Sequence, residues 1–289
     1  MPGHSTFHEV GDHFIEKASD SDSDHIMWLN RNISGRKIDS EELSRRLKEF
    51  IHVEDGMISS WVRRIFINTF FLEPPHPYIA LQQDPPGWLL AGYAAEHYHF
   101  LRQWVRSCAS IISNTDNVEA QEYEIENIST EYSGHNGVPS HLELLLRMGE
   151  SYGVKRSDIV KSKPLKETSE AISKWDKICR ELPFNFAMAA MHSLELIATR
   201  GLEKYGARYP YFDPKILENG SVTKEAREFL KAGYMADASH SSVALSIVDK
   251  YTQKDDYEDL KAVVLVSINA FYQYLGAGIR RGKILETKL

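Results

Sequence analysis

Four short segments of this chain set carboxylates and imidazoles at spacings that a helix can turn into one face. GYMADASH, residues 233–240, holds Asp237 and His240 three positions apart, and residues at i and i+3 are neighbours on a helix. AMHSLELIATRG holds His192 and Glu195 at the same spacing, inside a stretch that is apolar nearly all round from Phe184 to Ile197. GYAAEHYHFLRQW carries Glu96 and His99 three apart, with His97 on a different face. ENISTEYSGHNGVPSHLELLL places Glu131 ten residues before His141, on either side of a glycine-containing turn. Oxygen and nitrogen donors without thiolate suit ferrous iron or manganese.

Each segment also has a plainer reading. Glu131 and His141 can be an ordinary surface pair. Glu96 can contact Arg102 one and a half turns on. A carboxylate buried at Glu195 needs a partner or a cation, and a Tyr or His of a neighbouring helix would serve, with His192 the nearest. Small residues around Asp237 and His240, from Gly233 to Ser242, suit close helix approach better than a solvated face. Ser140 followed by Glu143 forms a capping box, so a helix should begin there with Glu143 satisfying backbone N–H groups.

These motifs need helices to carry them, and helices are what the apolar spacing gives. Three- and four-residue spacings run through most of the chain, while strand-like alternation is hard to find, so the fold class is all-α. Breaks fall at EPPHP, DPPG, GHNGVP, KSKP, LP, YPYFDP and ENGS. Between them, helices are expected at 40–71 with a break near Gly56, then 87–113, 118–132, 140–152, 165–180, 184–205, 223–251 and 255–279. Residues 1–24, ending in ASDSDSD, offer little apolar surface to offset the cost of ordering and read as a weakly ordered arm. Residues 25–289 read as one helical domain without repeats or a linker.

Composition excludes several classes. Lys and Arg total 34 against 41 Asp and Glu, a net charge of −7 without a basic run, so no nucleic-acid footprint is expected. Cys108 and Cys179 stand far apart without a CxxC pattern, which argues against a disulfide framework or a thiolate site. The first residues, MPGHSTFHEVGDHF, lack a basic region followed by an apolar one, and a cytoplasmic location is expected. AVVLVSINAFYQYLGAGI, residues 262–279, is uncharged over about a bilayer's width but holds Ser267, Asn269 and Gln273, and is read as a buried helix with no membrane partner. No phosphate-binding glycine motif and no G-x-S-x-G elbow is present.

Taken in order, these motifs resemble the haem-oxygenase-like superfamily of helical bundles that includes TenA and PqqC-type proteins, and within it the non-haem di-iron oxidase and oxygenase branch. The resemblance covers roughly residues 40–280. In that branch one helix supplies a Glu, the next a His, a central helix a Glu, and a late helix His-x-x-x-Asp-x-x-His. Glu131, His141, Glu195, Asp237 and His240 match five of the six positions; Gly233 stands where the sixth calls for His. His192, His99 and His97 are the imidazoles that can substitute, and Glu96 can serve as an additional carboxylate.

The resemblance implies Fe(II), two ions in the full site, with O2 as co-substrate. It implies oxidation of a small amine, amino-acid or fatty-acid-like substrate. Tyr93, Tyr98, Phe184, Phe186 and Tyr234 are candidates to line the pocket and Arg102 to anchor a carboxylate. Gly233 keeps open a metal-free TenA/PqqC-like cofactor-biosynthesis oxidase or hydrolase, and a third reading is a non-catalytic helical interaction protein. A homodimer is left open.

Overall fold

The computed structural model describes residues 57–134, 137, 139–218 and 220–287, with the backbone alone for residues 234–241. The expected N-terminal arm, and positions 40–56 of the first expected helix, lie outside the described residues. Ten α-helices are present among the described residues: α1 (Ile58–Phe70), α2 (Pro77–Gln82), α3 (Gly87–Ser113), α4 (Val118–Tyr132), α5 (His141–Ser151), α6 (Arg156–Lys161), α7 (Lys166–Glu181), α8 (Phe184–His192), α9 (Lys224–Tyr251) and α10 (Tyr257–Glu286). No strand occurs among the described residues, so the all-α expectation holds.

Helix starts follow local chemistry. Asn117 caps α4 by accepting from Ala120 N at 3.0 Å, and Thr223 caps α9 by accepting from Ala226 N at 3.2 Å. Ser140 caps α5 as its sequence predicts, accepting from Glu143 N at 3.2 Å. The Glu143 carboxylate, however, joins Arg147 at 2.8 Å and Arg156 at 2.9 Å, because two guanidinium groups nearby attract it more than neutral N–H groups. Two short helices, α2 and α6, fall in stretches that the expected helices left unassigned. In α2, Pro77 takes the first turn, where a missing N–H costs nothing, and His76 caps it by accepting from Tyr78 N at 3.0 Å.

The expected helix over 184–205 is shorter than its pattern. It ends at His192 and tightens into a 3-10 turn, Ser193–Ala198; a second 3-10 turn, Leu202–Tyr205, lies between Gly201 and Gly206, both left-handed at φ 78° and 100°. Left-handed backbone favours glycine, so these two positions bound the second 3-10 turn. With three residues per 3-10 turn, side chains at i and i+3 eclipse, and His192 stands directly over Glu195.

The core is one large apolar cluster built on α3 and α10, which pack along each other. A Cβ at Gly92 of α3 would collide with the backbone at Gly282 and Gly278 of α10, so the helices meet at backbone contact. Helix α10 is apolar and long enough to cross a bilayer, yet 56% of its apolar window is buried inside the structure, consistent with a core helix.

Candidate functional site

One cavity of about 80 Å³ is bordered by α3, the ends of α4 and α5, the 3-10 turn after α8, Tyr211, α9 and Phe271 of α10. Glu131 ends α4 and His141 begins α5, and the corner between them brings Glu131 Oε1 to 2.9 Å from His141 Nδ1. Both face the cavity and both are largely buried, at 13% and 14% side-chain exposure, so the surface-pair reading is set aside. Glu131 Oε2 is buried with no hydrogen-bond partner among the described residues.

Glu195 reaches the same cavity from the 3-10 turn. Its Oε1 accepts from Asn127 Nδ2 at 3.2 Å; its Oε2 accepts from Tyr123 Oη at 3.4 Å and lies 3.2 Å from His192 Nδ1. His192 Nε2 in turn lies 2.7 Å from Glu124 Oε1, and both residues are fully buried. Trp104 Nε1 donates to Asn127 Oδ1 at 2.7 Å, which fixes the amide so that its NH2 points at Glu195. Burial opposes charge on His192, but Glu124 and Glu195 outweigh it and lift the imidazolium pKa to about 10. His192 is therefore a cation between two carboxylates, with both ring nitrogens engaged.

Gly233 of α9 lines the cavity as well. Positions 237 and 240 follow it by four and seven residues on the same helix, which is the register of one face. The side chains of Tyr234, Asp237 and His240 lie outside the described residues.

The other expected residues sit elsewhere. Glu96 is fully buried in α3 away from the cavity, accepting from Arg281 Nε at 2.6 Å, Thr168 Oγ1 at 2.5 Å and Leu165 N at 3.1 Å. Those donors fill it as an interhelical tie. His99 Nε2 pairs with Ser162 Oγ at 3.0 Å. Arg102 is exposed and lies over the Tyr132 ring at 5.4 Å, so it anchors nothing in the cavity. Phe184 packs on Tyr251 and Phe186 in the core.

Tyr93 and His97 do line the cavity. Burial, and then the neighbouring His141, push the His97 pKa down to about 3, so its ring is neutral at pH 7. Tyr211, Phe100, Trp104, Phe229 and Phe271 supply aromatic wall. Among the described lining residues there are two carboxylates and two imidazoles but no Lys or Arg. Sequence reading missed Glu124, Tyr123 and Asn127; their one signal is that 124, 127 and 131 share a helix face in EIENISTE.

Known proteins bear on this arrangement. Over 174 residues, 60% of this chain and 70% of the relative, the sequence is 22% identical to a 4-aminobenzoate synthase of Chlamydia muridarum. A domain from Shewanella denitrificans OS217, described as having a heme oxygenase-like fold, superposes with a TM-score of 0.57 at 17% identity, covering 87% of this chain and 97% of that one. A TenA homologue from P. horikoshii OT3 superposes with a TM-score of 0.59 at 14% identity, covering 83% and 99%. These likenesses establish the haem-oxygenase-like all-α fold.

A C2H2 type zinc-finger profile matches residues 4–52, which lie outside the described residues. That stretch contains no cysteine, so it lacks the two thiolates of a Cys2His2 site. The profile of the TENA/THI-4/PQQC family matches residues 67–281, spanning every element that borders the cavity, and the chain belongs to that family.

Proposed function

We propose that the chain is an O2-dependent oxidase or oxygenase acting on a small amine-bearing aromatic molecule, with ferrous iron as its metal. The observation that carries this reading is that Glu131, His141 and Glu195 line one aromatic-walled cavity, with Glu131 Oε2 buried and unpartnered among the described residues. A carboxylate oxygen without a donor in a buried site is costly, and a cation is the partner its chemistry suits. Among the described residues no three such donors stand close enough to form a ready-made metal cluster, so the site rests on donors from α9 completing the set. Glu131, His141 and Glu195, with Asp237 and His240, would hold the metal. Gly233 contributes no ligand, and His192 has both nitrogens committed to Glu124 and Glu195, so a second ion would be bound more weakly than the first.

Bound ferrous iron would supply the redox chemistry for O2 activation. The chain's own residues do the rest. Tyr93, Phe100 and Trp104 offer flat faces to a ring and keep water out. One water needs about 10–15 Å³, so a cavity of about 80 Å³ suits a single-ring molecule better than a fatty acid. A lining with carboxylates and no Lys or Arg among the described residues favours an amine over a second carboxylate. The imidazolium of His192 stands behind Glu195 and fixes it while substrate binds. The name of the Chlamydia relative, a 4-aminobenzoate synthase, points to a single-ring amine that also bears one carboxylate, which supports the ring and the amine.

A second reading is a metal-free cofactor-biosynthesis enzyme of the same family. Two observations favour it: Gly233 in place of a sixth ligand, and a Glu195 whose two oxygens already accept from Asn127 and Tyr123. There Glu195 would act as acid or base on an aminated heterocycle. O2 uptake by the iron-loaded chain, offered aromatic amines and matched aromatic carboxylates, separates the readings. Uptake stimulated by amines and abolished by Glu131→Ala is expected; turnover that persists in chelator, or uptake untouched by Glu131→Ala, contradicts the first.

A further inference from the structure

Behind the cavity wall stands a tyrosine that binding does not need. Tyr274 of α10 is 1% exposed, and its Oη lies 2.6 Å from His97 Nδ1. In the His97 tautomer that carries its proton on Nε2, the phenol donates and Nδ1 accepts. His97 itself lines the cavity. Its ring is stacked between Tyr93, at 4.4 Å, and Phe100, at 5.1 Å, which fixes its plane. Tyr274 contacts Phe100 at 5.3 Å, Phe271 at 5.4 Å and Trp175 at 6.1 Å, so water is kept from the phenol.

A buried phenol with a single strong acceptor is poised for oxidation coupled to proton transfer. Losing an electron makes a phenol a strong acid, and the barrier is low only where a base already holds its proton within hydrogen-bond reach. An imidazole that is neutral at rest meets that need. Titratable and charged groups bear on the pair from several helices: Tyr93 and Glu96 from α3, Tyr78 from α2, Tyr211 from the loop before α9, and His141 from α5. Among those, Glu96 is already matched by Arg281.

We propose that Tyr274 and His97 form a redox-active pair that delivers one electron to an oxidant in the cavity. In this step the Tyr274 O–H bond breaks, an N–H bond forms at His97 Nδ1, and the electron passes to a one-electron oxidant derived from O2. Tyr274 is left as a neutral radical beside an imidazolium, and the oxidant is reduced by one electron. Return of one electron from a small-molecule reductant, with the proton going back from His97, restores the pair. The oxidant's origin rests on the O2-dependent reading above; the readiness of the pair to be oxidised does not.

The test therefore uses an external oxidant. The full chain, without added metal, is oxidised by flash-generated ruthenium(III) tris(bipyridine), and the radical is observed by electron paramagnetic resonance in H2O and in D2O. The expected wild-type signal is a neutral tyrosyl radical with a strong coupling to an exchangeable proton that D2O removes. Tyr274→Phe should lose that component, and His97→Gln should lower its yield at least tenfold. A wild-type signal without exchangeable coupling overturns the proposal, and that result needs no variant to fold. A Tyr274→Phe signal equal to wild type also overturns it. If the radical forms as expected but the iron-loaded chain consumes no O2, the pair stands and the proposed function fails.

Discussion

Glu131 Oε1 lies 2.9 Å from His141 Nδ1, while the second oxygen of the same carboxylate is buried without a partner among the described residues. The pair closes the corner between α4 and α5 and leaves one acceptor facing an unfilled demand. A divalent cation should therefore stabilise the protein through this residue. Under anaerobic conditions, Fe(II) or Mn(II) at a hundred times its dissociation constant should add about 2.7 kcal/mol, read as a rise in Tm. Glu131→Gln should abolish the rise while leaving the metal-free Tm close to wild type; an equal rise in both proteins would count against metal binding here.

Glu96 offers the control. It is held by Arg281, Thr168 and the Leu165 N–H, so its loss leaves a guanidinium that is 17% exposed without its carboxylate, with only the Lys163 carbonyl still accepting from it among the described residues. Glu96→Ala should lower stability by about 3 kcal/mol or more, as expected when one partner of a buried pair is removed. The cation-induced rise in Tm should survive. If it disappears with Glu96, the carboxylate serves the site after all.

Two histidines should bend the pH profile of stability in opposite directions. His192 is lifted to about 10 by Glu124 and Glu195 against the cost of burial. Its contribution is complete below the unfolded pKa of about 6.5 and is lost as pH rises through about 10. His97 is lowered to about 3 by burial and by His141, so stability falls as pH drops from about 6.5 toward 3. Urea midpoints measured across pH should show both limbs. His192→Gln should flatten the alkaline limb and His97→Gln the acid one, and a profile unchanged in either variant would refute that assignment.

The contact between α3 and α10 should tolerate no side chain at its centre. Gly92→Ala drives a methyl group into the Gly282 and Gly278 backbone, which cannot swing aside. A loss of at least about 1–3 kcal/mol is expected. Gly276→Ala, on the same α10 but 3.5 Å from the flexible Arg280 guanidinium, should be neutral or stabilising by up to about 1 kcal/mol. Chemical denaturation of the two variants checks the contrast.

Much of the frame was readable because its breaks are chemical. Pro85–Pro86–Gly87 and Asn117 mark the starts of α3 and α4, and the expected spans 87–113 and 118–132 coincide with those observed. The 3-10 turn after His192 was not readable, since His192 and Glu195 are three apart in either helix type and only the tighter winding eclipses them. Glu124 stayed hidden among charged neighbours in EIEN, a run that reads as solvated, although packing of α4 on α3 buries it completely. Glu96 looked like a ligand because its partner, Arg281, is 185 residues away and no spacing rule reaches that far. Glu131, His141 and Glu195 were legible as a set through the family pattern, and they do border one cavity.

An anaerobic Fe(II) titration, followed by removal of loose metal and admission of O2, tests the central claim most directly. Stoichiometric retention of iron by the wild-type chain, with a transient visible absorption band on mixing with O2, is the predicted result. Glu131→Ala and His240→Ala should lose both. Retention of a single ion would locate the weakness at Gly233. A chain that retains no iron, and whose variants behave like wild type, would contradict the metal-dependent oxidase.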